Sequence, residues 1–174
     1  MCPQMSAELS DAQPLGGVLP EGEYVCTLQN AAKSASGIDK TKEGDGDMVV
    51  VRFIVDEGEY ANRRVFPPWY VLVGGTKVDG SKHDLNRAME LVNASRVTWT
   101  CEGCGFVGGN GTELTFNKSD RKYYCSGCKQ QTRITYNTDD FFDGTRRVRV
   151  RLNQQKGLQD DMVNGVTRVR SIDS

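Results

Sequence analysis

Cys101-Glu102-Gly103-Cys104, twenty residues, then Cys125-Ser126-Gly127-Cys128: four of the six cysteines of the chain fall in these two pairs. The spacing C-x2-C-x20-C-x2-C is close to that of a four-thiolate zinc site. Each pair makes a tight knuckle with two thiolates on one side of a turn. Two facing knuckles complete a tetrahedron with Zn–S bonds near ~2.3 Å. Gly103 and Gly127 each precede the second cysteine of a pair, and are expected to take up the unusual backbone angles of the turn. Four thiolates leave no open coordination position, so one structural Zn2+ on Cys101, Cys104, Cys125 and Cys128 is expected rather than a catalytic ion. Val97–Thr100, Thr112–Phe116, Lys122–Tyr124 and Arg133–Tyr136 are strand-like, with turn residues at Gly108–Gly111. The reading is a zinc ribbon over 97–136.

Upstream, residues 1–19 carry two prolines, Gly16-Gly17 and no periodicity, and read as a tail. Glu21–Asn30 alternates, with Tyr24, Cys26 and Leu28 on one face, which makes a first strand and makes Cys26 a small core residue. Cys2 is assigned nothing. Residues 33–47 are small, polar and glycine-containing, a flexible loop. Met48–Val55 is nearly continuously apolar and fits a central strand. Arg63–Val73 is a third strand whose ladder Pro67-Pro68 interrupts, implying a bulge or an edge. Lys82–Asn93 is a helix with Ser81 as cap, Asp84 at the third position, and Leu85, Ala88, Met89 and Val92 as its buried stripe. Downstream of the cysteines, Arg146–Leu152 sets Val148, Val150 and Leu152 on one face and Arg147, Arg149 and Arg151 on the other. A loop over 153–164 leads to a last strand, 166–172.

With 97–136 set aside, the order is β-β-β-α-β-β, that of a five-stranded OB barrel. The expected fold is therefore mainly β: an OB-fold domain from 20–96 and 137–174 with one helix and an inserted ribbon. Two independent domains is the disfavoured alternative, because the strands after 146 would close sheet edges that the first three leave open.

Composition narrows the function. The 174 residues are 37% hydrophobic and 26% charged, a globular balance. No run approaches the roughly 20 apolar residues of a membrane span. The N-terminus has neither a basic region nor an apolar run, so no secretory signal is expected and the cytoplasm is the expected location. Disulfides are disfavoured for the same reason. The net charge of -1 hides a split: residues 1–60 sum to -7 and residues 61–174 to +6. A single histidine, His83, reads as an exposed bystander. With no convincing carboxylate cluster, and no His-x-Glu of the kind zinc deaminases need, the protein is not expected to be an enzyme.

Leu19-Pro-Glu-Gly-Glu-Tyr24, Val49-Val-Val-Arg-Phe-Ile-Val55 and Glu57-Gly-Glu-Tyr-Ala-Asn-Arg-Arg-Val-Phe66 resemble a bacteriophage family of OB-fold single-stranded DNA-binding proteins, formerly catalogued as a domain of unknown function. That family reads P-x-G-x-Y, a strand, G-x-Y-x-G-R-x-V/L-aromatic, then a short helix and a final strand pair. The similarity covers residues 19–94 and, more loosely, 141–170. Asn62 stands where the family has Gly, a change Asn tolerates because it accepts left-handed angles. The ribbon lies outside the common pattern, and Arg168-Val-Arg-Ser-Ile-Asp-Ser174 does not resemble the acidic tail of many of those phage proteins, so recruitment through such a tail is not expected. The resemblance implies sequence-nonspecific binding of single-stranded DNA in phage replication and recombination, in the host cytoplasm, with phage replication or recombination proteins as further partners.

Single strands are held by a basic groove and by aromatic faces on which bases stack. Phe66, Trp69 and Tyr70 cluster beside Arg63 and Arg64, and Arg147, Arg149 and Arg151 form a comb along one strand face. Arg64, Phe66, Trp69, Tyr70, Arg147, Arg149 and Arg151 are the expected contacts, with Lys33, Lys40, Lys42 and Lys156 in the bordering loops. Phe66 and Tyr70 share a face only if Pro67-Pro68 adds no bulge, while Trp69 points the other way. At least one of the three should thus be core. The bland alternative makes the arginine comb a solvated edge. Tyr123 and Tyr124 are expected chiefly to pack around a knuckle. The other functional reading is a zinc-ribbon protein-interaction or transcription-related module.

Overall fold

The computed structural model describes residues 18–40, 46–72 and 82–173. The first strands are β1 (Gly22–Asn30), β2 (Asp39–Lys40), β3 (Asp47–Val55) and β4 (Trp69–Leu72). Helix α1 (Lys82–Ser95) follows. Next come β5 (Trp99–Cys101), β6 (Val107–Gly108), β7 (Thr115–Asn117), β8 (Lys122–Tyr124) and β9 (Ile134–Tyr136). A 3-10 turn over Thr138–Phe142 leads to β10 (Arg147–Lys156) and β11 (Met162–Ser171). The protein is mainly β, with several antiparallel sheets and one α-helix among the described residues.

The main sheet is six-stranded, with β1 between β10 and β3, β11 outside β10, and both β2 and β4 paired to β3. Alternation along each long strand fills one interior. Val49, Val51, Phe53 and Val55 of β3 meet Cys26 and Leu28 of β1, Val148, Val150 and Leu152 of β10, and Val169 of β11, all buried. Burial pushes the Cys26 thiol up to about 12, so it behaves as an inert apolar group.

The interruption expected at Pro67-Pro68 is present. Residues 62–65 pair with the end of β3 through Asn62 N–H to the Val55 carbonyl (2.7 Å) and Val65 N–H to the Phe53 carbonyl (2.9 Å). Pairing resumes only at β4, where Val51 opposes Trp69, because the two prolines between have no N–H to donate. Asn62 takes the left-handed angle, φ 68°.

No ladder joins β11 to β4 among the described residues, so the sheet does not close into a barrel. One backbone bond, Asn164 N–H to the Phe66 carbonyl at 3.0 Å, spans that edge. Further along β11 the Val169 N–H donates to Glu90 Oε1 of α1 at 2.6 Å. The helix thus satisfies a donor that an adjacent strand would otherwise take.

Four boundaries differ from expectation. Leu19, placed in the tail, is fully buried, and its N–H and carbonyl both bond to the Asn164 side chain (2.9 Å each). Residues 33–40 are ordered by Asp39, whose carboxylate accepts the Lys33 and Ser34 N–H groups at 3.0 and 2.8 Å, so a short β2 replaces part of the loop. The loop at 153–164 is mostly hairpin, with Lys156 opposite Met162. From Asn153 to Met162 its residues are exposed or half-buried and carry no apolar face, which is why alternation does not reveal them. Helix α1 runs on to Ser95 and ends at Arg96, φ 60°, with Val97 N–H bonded to the Val92 carbonyl at 3.3 Å, a Schellman-type ending. Ala88, Met89 and Val92 are buried as expected. Ser81 and the side chains of His83, Asp84 and Leu85 lie outside the described residues.

Residues 97–136 fold as a three-stranded sheet, β6-β5-β9, and the hairpin β7–β8. Two asparagines seven apart on α1 hold this segment. Asn93 Oδ1 accepts the Leu114 N–H at 2.8 Å, and Asn86 bonds Tyr123 N–H and the Arg121 carbonyl at 3.1 and 3.2 Å. One contiguous set of buried side chains runs through both regions, including Trp99, Leu114, Tyr123, Cys101 and Cys125.

Candidate metal centre and sheet face

The two cysteine pairs occupy congruent turns. In the first, Gly105 N–H bonds the Cys101 carbonyl (2.8 Å) and Cys101 N–H bonds the Phe106 carbonyl (2.8 Å). In the second, Lys129 N–H bonds the Cys125 carbonyl (2.9 Å) and Cys125 N–H bonds the Gln130 carbonyl (3.0 Å). Left-handed angles fall at the matching positions Gly105 (φ 75°) and Lys129 (φ 62°), one residue after the second cysteine. The expectation that Gly103 and Gly127 would carry them is thereby corrected. Those two glycines answer a close approach instead. A Cβ on Gly103 would lie 2.9 Å from the Thr132 methyl, and one on Gly127 would lie 2.8 Å from the Phe106 ring.

The four sulfur atoms lie within 4.8 Å of one another. Cys101 Sγ is 3.9 Å from Cys128 Sγ, and Cys104 Sγ is 3.7 Å from Cys125 Sγ. Four sulfurs tetrahedral about an ion at ~2.3 Å have edges of about 3.8 Å. A disulfide would need a separation of about 2.05 Å. The cluster therefore has the donors and the spacing to hold a metal ion. Thr132 Oγ1 sits 2.8 Å from Cys101 Sγ, and Gly127 N–H reaches Cys125 Sγ at 3.3 Å. Burial opposes charge on Cys101. The Thr132 hydroxyl and the N–H groups of Cys104 and Gly103 outweigh it and bring the thiol down to about 6. At Cys104 a Phe106 N–H favours the thiolate, but desolvation and the three neighbouring thiols push it up to about 11. One thiol ionises readily and its neighbours resist a second negative charge, a conflict that a cation at the centre removes.

Register decides where the expected nucleic-acid contacts stand. Arg64 opposes Ile54, Ile54 opposes Thr27, and Thr27 opposes Arg147, so the four form one row across the sheet. Tyr70 opposes Val50, Arg149 opposes Val25, and Arg151 opposes Glu23. Arg64, Tyr70, Arg147, Arg149 and Arg151 thus share the face turned away from the core. With strands about 4.8 Å apart, Arg64 and Arg147 stand roughly 14 Å apart.

The seven are not equivalent. Trp69 lies on the other face, 6% exposed, its ring 5.8 Å from that of Phe53 and under the Arg87 guanidinium at 5.2 Å. It offers no open face to a base. Tyr70 is 44% exposed. Phe66 is half-buried between the two paired segments. Arg147 is paired with Asp56 and Glu57, and Arg149 donates to the Ile172 carbonyl at 3.2 Å. Arg151 is exposed and has no ion pair among the described residues. Of the loop lysines, Lys40 pairs with Asp47 and Lys156 with Asp160 (3.2 Å), while Lys42 lies outside the described residues. Tyr123 is buried and Tyr124 donates to Asp120.

Sequence reading missed Asn86 and Asn93, which tie the cysteine segment to the helix. Their seven-residue spacing was the available signal. It also missed Arg146, whose guanidinium reaches the Ser95 carbonyl at 3.2 Å and the Arg96 carbonyl at 3.4 Å at the end of α1. Among the described residues, no helix is long and apolar enough to cross a membrane. No family model matches the chain, and neither the curated proteins nor the solved structures compared with it give a match.

Proposed function

We propose that the chain is a sequence-nonspecific single-stranded DNA-binding protein, an incompletely closed OB-type sheet with an inserted zinc ribbon. The observation that carries this reading is the shared outer sheet face, where Arg64, Arg147, Arg149 and Arg151 accompany the exposed ring of Tyr70. Guanidinium groups supply phosphate contacts and an exposed ring supplies a stacking platform, the two elements of single-strand binding without sequence preference. The similarity to phage OB-fold single-strand binders, in segments 19–24, 49–55 and 57–66, supports the same reading and a place in phage DNA replication or recombination. Within the site, Arg151 and Tyr70 are the principal contacts. Arg147 and Arg149 must first give up partners inside the protein. Trp69 acts by supporting the sheet.

Zinc is the metal this reading assigns to the four cysteines, because four thiolates in a closed tetrahedron suit its preference. The ion holds the two knuckles together and takes part in no reaction.

Titration with oligo-dT at several salt concentrations tests the function. Log K should fall linearly with log salt, by about 0.7 per phosphate contact. Random duplex binding as tightly as single strands at moderate salt would overturn the reading.

A further inference from the structure

We infer that the bound single strand continues off the sheet face into a groove formed by α1, the β7–β8 hairpin and the edge of β11, so that the cysteine-bearing insert itself takes part in binding. This rests on the single-strand reading above. The groove has a volume of about 760 Å³, within the roughly 300–1,000 Å³ range of ligand clefts. Arg87, Lys118, Arg121, Lys122 and Arg168 line it, against two carboxylates, Glu90 and Asp120.

Both carboxylates are already engaged within the protein. Glu90 accepts the Val169 N–H, and Asp120 accepts from the Tyr124 hydroxyl and the Lys122 N–H. Arg87 is also engaged, over Trp69 and on the Tyr70 carbonyl at 3.1 Å. Lys118, Arg121 and Arg168 have no ion pair among the described residues. Five cations against two carboxylates leave the open groove with an excess of positive charge, even with Glu90 near Arg87, Arg121 and Arg168, an arrangement suited to an anionic ligand.

Aromatic surface accompanies the charge. All of β7 is exposed, and Phe116 at its centre is 38% exposed. Its ring leans on Tyr123 at 4.8 Å and presents its remaining surface to the groove. A phosphate-binding cleft with a free ring fits a nucleotide chain better than a purely acidic peptide, which has nothing to stack. Continuity fixes the path. Arg168 lines the groove and also stands opposite Arg151 of the sheet face in the β10–β11 ladder. Thr167 bulges out of register beside it, with its hydroxyl on the Arg151 carbonyl at 3.2 Å.

The test compares oligo-dT of about 6 and about 16 nucleotides, within the span that single OB folds cover. The triple change Lys118→Ala, Arg121→Ala, Arg168→Ala should weaken the long oligonucleotide on the order of 100-fold at about 0.1 M salt and reduce its salt slope by about 2. The short oligonucleotide, held by the sheet face, should bind within about twofold of wild type. Phe116→Ala should weaken the long oligonucleotide about 5- to 150-fold and leave the slope alone. Wild-type length dependence and slope in both variants would overturn the groove while leaving the sheet-face reading intact. Failure of the unaltered protein to bind either oligonucleotide at low salt would overturn both.

Discussion

The main sheet and the cysteine-bearing insert are held together by different physics. The main sheet rests on four long strands of nine and ten residues, β1, β3, β10 and β11, whose alternating Val, Phe and Leu side chains close an interior with almost no exposed atoms. The cysteine-bearing insert rests on strands of two and three residues, one of them exposed along its whole length. Strands that short cannot bury enough surface to persist alone. The insert gains its order from three other sources: the four-sulfur cluster, the Asn86 and Asn93 bonds to α1, and Trp99, which lies on Gly108 where a Cβ would come within 2.3 Å of the indole. A long register specifies itself. A short one must be pinned from outside.

The largest effect should come from the metal. Elemental analysis should give one zinc per chain. Chelation, or Cys125→Ser, should unfold the insert, since metal binding at such sites contributes about 10–16 kcal/mol of folding free energy. Because the buried cluster is continuous, the main sheet should lose stability as well, seen as a lower melting temperature by circular dichroism. A chelated protein with an unchanged melting curve would break the comparison, showing that the insert stands without the ion.

Next in size is the contrast between two neighbours on β4. Trp69→Ala should cost about 3–5 kcal/mol of stability by opening a cavity beside Phe53. Tyr70→Ala should leave the melting temperature nearly unchanged and weaken oligo-dT by about 1–3 kcal/mol. Equal effects on both properties would erase the distinction between core face and binding face.

Glu90 sharpens the boundary between the regions. Burial raises its carboxyl to about 6, despite the opposing Val169 N–H and the nearby Arg168, Arg87 and Arg121. A raised carboxyl binds its proton more tightly folded than unfolded. The contribution of Glu90 to stability is therefore full below about pH 4.5, declines as pH rises toward about 6, and stays level above it. Glu90→Gln keeps the Val169 acceptor and removes the charge. It should flatten that slope in urea melts and add up to about 2 kcal/mol above pH 6. A variant with the wild-type slope would clear Glu90 of this role.

The smallest effect separates Arg151 from Arg147. Arg151→Ala should reduce the oligo-dT salt slope by about 0.7. Arg147→Ala should do less, because that guanidinium must first leave Asp56. The reverse order, measured by titration at several salts, would show that the Asp56 pair does not restrain Arg147.

Sequence alone determined the four-cysteine cluster, the face assignments along 21–30 and 146–152, the central strand at 48–55, and the break at Pro67-Pro68. Each follows from local covalent facts: thiol spacing, the two-residue period of a strand, and a missing N–H. The left-handed angles at Gly105 and Lys129 escaped it, because nothing in Cys-x-x-Cys marks the following residue, and Lys129 is not a residue that favours such angles. The hairpin over 154–162 escaped it because strands outside a core carry no apolar signature. Only the tertiary structure decided that Arg147 is paired, that Trp69 is core while Tyr70 is open, and that β11 meets a helix carboxylate where a barrel would continue. These outcomes depend on which groups from distant parts of the chain arrive beside one another. Residues 56 and 147, or 90 and 169, have no relation in sequence until the fold brings them into contact.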